Sequence, residues 1–311
     1  MSTRRRRQRR AVSGLGLAHP RWWPTWLEVG LLWGIAHTPL TLQRALGRGI
    51  GRLIYALGAE RRRITCINLR LCFPELDDHA RERLVRQHFG FLGESVFEMA
   101  YSWWGPERGL RALARIVGRE HLEAAQAQGR GVILLQGHFL TTDIAGQMLS
   151  MEFPLTATYA PPKNPVARYL TERVRARAAF NQIPHDQVRT ILRALANNEI
   201  VWHGPDQGAI RGKGIPARFF GQPAQTLPAT AKLARLSGAP VVPYHPIRLP
   251  DGRFELRIEP PLDDFPGADI AAATQRVNDT IERHARAAPA QYLWSHKRFK
   301  PARKHEPSPY R

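Results

Sequence analysis

Between residues 131 and 247, short apolar runs alternate with longer stretches of helical texture, and this alternation limits the possible folds more than any other feature of the chain. The runs are GVILLQG (131–137), LTATYAP (155–161), EIVWHGP (199–205) and APVVPYHPI (239–247). The stretches between them, 141–151, 163–180, 186–197 and 228–237, have the length and spacing of helices. A tight turn joins only antiparallel strands, whereas parallel neighbours need a crossover of about a dozen residues or more. Strands alternating with helices therefore predict an α/β fold whose central sheet is mostly parallel and flanked by helices. Beyond it, PIRLPDGRFELRIEPPL sets Pro250-Asp251-Gly252 between two alternating runs, which predicts a hairpin at the sheet edge.

Ahead of the sheet lies a helical front. In LQRALGRGIGRLIYAL (42–57) the apolar positions recur at three and four, which predicts an amphipathic helix with its arginines outward. Residues 79–104 continue as one or two helices, with Asp77 and Asp78 as cap candidates. The first 18 residues form a basic tail, with six arginines in the seven positions from Arg4 to Arg10. Residues 19–42 are expected to meet a membrane, and residues 43–311 are expected to form a single domain.

The 21 residues from Trp22 to Leu42 are about long enough to span a bilayer, but Glu28, Pro24, Pro39 and His37 interrupt them. Trp22, Trp23, Trp26 and Trp33 favour the membrane–water interface. Seven arginines precede residue 22 and five more fall between 43 and 62, so the positive-inside rule draws both flanks to the cytoplasm. An interfacial or re-entrant helix satisfies both flanks at once, and a single span remains the alternative. No small-x-small cleavage site follows, which argues against an export signal.

The chain carries 46 Lys+Arg against 26 Asp+Glu, a net charge of +20, and is drawn to polyanions. A nucleic-acid reading rests on that charge alone, since no helix-turn-helix, RNP-like or zinc pattern accompanies it. Cys66 and Cys72 are too few for a disulfide framework and are expected to be reduced.

The chemistry is expected at QGHFLTTD (136–143), directly after the apolar run GVILL. Open α/β sheets bind ligands beyond the carboxyl ends of their strands. On one helix, positions i and i+5 lie about 140° apart round the axis. His138 must then sit in a turn before the helix whose first turn carries Asp143, with Thr141 or Thr142 as its cap. The Asp143 carboxylate is expected to hold one ring nitrogen of His138 and so raise the basicity of the other. No G-x-S-x-G elbow supplies a nucleophile. Such a dyad suits direct transfer, with the base deprotonating a substrate hydroxyl that attacks a bound acyl donor. As a bare pattern, His-x4-Asp is weak.

HPRWWPTWLEVGLLW, INLRLCFPEL, GHFLTTD, YAPPKNPVARYL, VWHGPDQ, SGAPVVPYHPIRLPDG and APAQYLWSHKRFK occur in the order found in the bacterial lipid A biosynthesis acyltransferases. From about residue 19 to its end the chain resembles that family, most closely the late lauroyl-transferring type. The resemblance implies a glycerolipid-acyltransferase fold at the cytoplasmic face of the inner membrane, and no cofactor. It implies transfer of a fatty acyl chain from acyl carrier protein to a hydroxyl on the 3-hydroxyacyl chains of Kdo2-lipid IV(A). His138 matches the family's general base. Asp143 takes a position usually held by Glu in this branch, and Asp is usual in glycerophospholipid acyltransferases. Another glycerolipid or glycolipid acceptor therefore stays open.

The family's functional arginine falls on Arg175, with Arg177 the near alternative, and its strand-end aspartate on Asp206, which is expected to orient that arginine. Asn164 of the Asn-Pro block joins the substrate-binding set. The basic segments RGKG (211–214) and HKRFK (296–300) are expected either to contact phosphate or acidic carrier, or to be solvated surface.

Overall fold

The computed structural model describes residues 14–177, 180–208, 214–301 and 306–310, without side-chain placement at 14, 15 and 175–177. The front comprises α1 (Gly14–Leu17), α2 (Trp23–Ala36), α3 (Leu40–Leu57), α4 (Ala59–Cys72), α5 (Asp78–Trp104) and α6 (Glu107–Leu113). The body follows as β1 (Ala114–Val117), α7 (Arg119–Gln126), β2 (Val132–Leu135), α8 (Thr142–Ser150), β3 (Leu155–Tyr159), α9 (Pro165–Arg177) and β4 (Phe180–Pro184). Then come α10 (Val188–Ala196), β5 (Ile200–His203), β6 (Ile215–Phe219), β7 (Gln222–Thr226), α11 (Ala229–Ser237), β8 (Val241–Arg248), β9 (Phe254–Ile258) and α12 (Ile270–Ala287).

Seven strands form one sheet in the order β1-β9-β8-β2-β5-β3-β4, and every neighbouring pair is parallel except β8 with β9. The α/β architecture read from the alternation is thus the one the chain adopts. All four side chains of β2 are fully buried. Ile133 and Leu135 face one layer with Phe219 and Trp294, whereas Val132 and Leu134 face the other with Ile144 and Leu149. Burial on both faces is why the central strands read as unbroken apolar runs. The predicted hairpin turns at Gly252, which has φ +83°. It does not form the edge, because the four residues of β1 cover β9 in parallel.

The front is anchored by backbone contact. A Cβ on Gly93 of α5 would fall 2.0 Å from the Gly47 carbonyl oxygen, and one on Gly51 of α3 would fall 2.2 Å from that of Phe89. Glycine on both helices lets α3 lie directly on α5. Beside this contact, Arg248 from the end of β8 reaches Glu94 at 3.4 Å and Glu98 at 2.6 Å, pairing these charges in the interior. Asp77 caps α5 by accepting from the Ala80 amide at 2.6 Å, and α5 is one continuous helix.

The orientation of α3 corrects the sequence reading. Its buried face is Gln43, Gly47 and Gly51, and Leu42, Leu46, Ile50, Leu53 and Leu57 are exposed. Arg48 and Arg52 are exposed as expected, but so is an apolar stripe, because only the small residues fit against α5. No helix among the described residues is long and apolar enough to cross a membrane. The 14 residues of α2 extend about 21 Å, short of the hydrocarbon core.

Candidate active site

β2 and β5 are adjacent and in register, with Leu135 beside His203, so the residues three positions past each strand end emerge together. Those residues are His138 and Asp206. Gly137 packs too closely for a side chain, since a Cβ would meet Ile281 at 2.7 Å. The Thr142 hydroxyl then ties the turn, donating to the Phe139 carbonyl at 2.6 Å and accepting from Gln136 Nε2 at 2.8 Å. Thr141 sits at the N-cap without a side-chain capping bond. Asp143 lies in the first turn of α8, as the spacing predicted.

The carboxylate on the His138 ring is Asp206, where Asp143 was expected. His138 Nδ1 donates to Asp206 Oδ1 at 2.5 Å, and the His138 amide donates to Asp206 Oδ2 at 2.8 Å. Tyr292 Oη donates to that same Oδ2 at 2.7 Å. With Nδ1–H committed to Asp206, the neutral ring keeps its lone pair on Nε2. The His138 side chain is 32% exposed and that of Asp206 only 1%, so the base is reachable and its carboxylate is not.

Burial alone would lower the His138 pKa, but the Asp206 charge, the Asp206 hydrogen bond and the more distant Asp143 charge together raise it. Burial would likewise raise Asp206, yet the His138 charge and the donors from His138 and Tyr292 hold it well below the usual carboxylate range. His203, buried on β5, is lowered to about 4 by burial and then by the charge of His138, so it stays neutral beside the site. Gly204 leaves room for the base: a Cβ there would sit 2.9 Å from His138 Cε1.

The ring opens into a narrow cleft lined by Asn68, Gln207, Tyr292, Trp294, His296 and Arg298. Asn68 of α4 shapes it, donating from Nδ2 to the carbonyls of Trp294 at 2.6 Å and His296 at 2.8 Å. Its Oδ1 accepts from Tyr310 Oη at 2.5 Å. Asn68 and Tyr292 fall inside INLRLCFPEL and APAQYLWSHKRFK, but neither residue type announces a site role by spacing.

Asn164 caps α9, its Oδ1 accepting from the Val166 amide at 2.9 Å while Nδ2 donates to Thr25 Oγ1 of α2 at 3.1 Å. Arg175 and Arg177 lie in the last turn of α9, and their side chains fall outside the described residues, as do residues 211–213 of RGKG and the arginine run at 4–10. Both Asp206 oxygens are engaged by His138 and Tyr292. Within HKRFK, Lys297 pairs with Glu60 at 3.0 Å, while Arg298 is buried against Phe219 and donates to the Gln225 carbonyl. Cys66 and Cys72 are free thiols; Cys72 is buried, and burial pushes its pKa far up. A reachable imidazole backed by a buried carboxylate, without a thiol in the cleft lining, is equipped to take a proton from a hydroxyl.

The sequence profile of the family described as bacterial lipid A biosynthesis acyltransferase matches residues 15–301. The chain is 34% identical over 296 residues to the lipid A biosynthesis lauroyltransferase of Escherichia coli (strain K12), covering 94% of this chain and 97% of that protein. It is 34% identical over 284 residues to the palmitoleoyltransferase of the same organism, covering 91% and 92%. With its myristoyltransferase it shares 30% over 299 residues, covering 94% and 92%. A His138–Asp206 pair sits at the mouth of β2, and a match that takes in nearly the whole chain places this protein in the bacterial lipid A biosynthesis acyltransferase family.

Proposed function

We propose that this acyltransferase moves a fatty acyl chain from acyl carrier protein to a hydroxyl on the 3-hydroxyacyl chains of Kdo2-lipid IV(A). The observation that carries the chemistry is the clasp of Asp206 on the Nδ1 side of a solvent-reaching His138. His138 Nε2 takes the proton of the acceptor hydroxyl as its oxygen attacks the thioester carbonyl. Collapse of the tetrahedral adduct breaks the C–S bond, and the imidazolium returns its proton to the departing thiolate. The buried Asp206 charge stabilises the imidazolium between these steps. The Asp143 charge adds to that stabilisation.

The basic surface suits both substrates, because acyl carrier protein and a bisphosphorylated lipid are anionic, and opposite charge raises encounter rates at low ionic strength. Arg175 is proposed to hold a phosphate, with Arg177 as the alternative, since a guanidinium matches phosphate in bidentate geometry. The site of action is the cytoplasmic face of the inner membrane, with the tryptophan-bearing α2 at the interface.

Mass spectrometry of lipid A from a strain lacking its own secondary acyltransferases, complemented with this chain, tests the reading. One added acyl chain is expected, and none with His138→Ala. Unmodified lipid A from a strain that accumulates the wild-type protein overturns the acceptor assignment. Acyl gain on another glycerolipid or glycolipid would favour the acceptor class that Asp143 leaves open.

A further inference from the structure

The exposed large apolar positions of α3 are spaced four, four, three and four apart, at Leu42, Leu46, Ile50, Leu53 and Leu57. That spacing puts all five on one side of the helix. They are 45%, 42%, 36%, 56% and 75% exposed, while Gln43, Gly47 and Gly51 take the buried side. A surface helix normally does the reverse, burying its leucines and showing water its polar residues. On α2 the exposure continues at Trp23, Leu27, Leu31 and Trp33, the first three again four apart. Contiguous apolar surface on this scale marks a site of association.

We propose that α3 lies in the plane of the membrane surface with this stripe in the lipid, and that the lipid acceptor reaches the His138 cleft sideways from the leaflet. The lateral-entry part rests on the lipid acceptor named above. The charge pattern selects lipid as the occupant. Arg52 and Arg48 are exposed on the same helix as the stripe, and the chain as a whole carries +20. An apolar face on a strongly basic chain, with exposed Trp23 and Trp33 on the preceding helix, fits an anionic leaflet.

The helix is fixed in attitude. Its glycines meet the backbone of α5, and Arg44 donates to the Gly252 carbonyl at the tip of the β8–β9 hairpin at 2.5 Å. The stripe also ends where α4 begins, and α4 carries Asn68 of the cleft lining. Past Leu57 the chain enters α4, where Arg61 donates to the Ser295 carbonyl at 3.0 Å and Asn68 holds the carbonyls of Trp294 and His296. Asn68 lies about 14 Å along the helical rise from Ala59, the first residue of α4. On α2, Thr25 is bonded to Asn164 at the head of α9. The apolar face is thus joined to the cleft through α4 and to α9 through α2.

The test uses the full chain and phosphatidylethanolamine–phosphatidylglycerol vesicles in a flotation assay. Leu46→Gln, Ile50→Gln and Leu53→Gln combined are expected to lower partitioning about a hundredfold. The melting temperature should hold, because all three side chains face solvent. Transfer to acceptor embedded in vesicles should fall with binding, and dispersing the acceptor in detergent should narrow the gap to wild type. Unchanged flotation of the triple variant overturns the proposal. So does a wild-type dimer, seen by sedimentation, that the triple variant dissolves, since a second copy would then cover the stripe. If wild type transfers no acyl group to either presentation while the triple variant still loses vesicle binding, the in-plane helix stands and the acceptor assignment falls.

Discussion

The mouth of β2 and the outer face of α3 treat polarity in opposite ways. At the first, a charged carboxylate is taken out of water and surrounded by three donors from His138 and Tyr292. At the second, leucines are left in water while glutamine and glycine are buried. A buried charge is tolerable only when fully partnered, so the first region is complete within the chain. Among the described residues the apolar stripe has no cover, and lipid is its proposed partner. The difference separates the part of the molecule that performs chemistry from the part that meets its surroundings.

Asp206→Asn gives the largest expected effect. It keeps shape but removes the charge and the tautomer preference, and acyl transfer should fall about a thousandfold or more. The acid limb of the rate profile should also move to lower pH, because the Asp206 charge is what lifts His138. Loss of less than tenfold would mean that the clasp is architectural.

Next in size is the pH response of the joint between the regions. His88 of α5 is buried with its pKa lowered to about 4, and its Nδ1 donates to the Ala290 carbonyl at 3.2 Å. The unfolded chain binds this proton below about pH 6.5 and the folded chain refuses it. Stability is therefore full above about 6.5 and drops as the pH falls toward 4, by up to about 3 kcal/mol from this ring. Urea melts of wild type and His88→Leu across that window should show the flatter slope in the variant.

Gly93→Ala follows. Replacing a mid-helix glycine by alanine ordinarily gains about 1 kcal/mol. Here the Cβ would meet the Gly47 carbonyl oxygen at 2.0 Å, so the overpacking cost of about 1–3 kcal/mol should win. A rise in melting temperature would show that α3 is not seated as described. Tyr292→Phe removes one donor to Asp206 and should slow transfer about tenfold, the scale of a hydrogen bond to a charged group. The smallest effect is the sharpest: Leu53→Gln, on the same helix as Gly47, should shift stability by less than about 0.5 kcal/mol in aqueous buffer.

The alternation of apolar runs and helices was enough to draw the central sheet, because β2, β5 and β8 are buried on both faces and advertise it. The strands at 114–117, 180–184, 215–219 and 222–226 are not legible in the sequence: ARIV is only four residues long, and FNQIP, IPARF and QPAQT mix proline and polar residues at sites that are not fully covered. The position of His138 past the end of β2 and of Asp143 in the first turn of α8 is legible in a single eight-residue stretch. The partnership with Asp206 was not, because it spans 68 residues and depends on β5 lying next to β2, a neighbour relation that local pattern does not encode. For α3 the period was legible and the direction was not. Apolar periodicity says that one face differs from the other; it does not say which face meets protein.

The hydrogen bond between Asn68 and Tyr310 joins residues 242 positions apart, and the cleft that it braces also draws on residues 138, 206 and 292. Contacts of such long sequence separation form late, after shorter loops have closed. Competence for catalysis is then a final step of folding, and in refolding experiments recovered acyl transfer should lag the return of helical signal. A chain whose sheet has formed but whose last segment has not yet docked would hold His138 without a finished cleft, and would leave the thioester donor unspent.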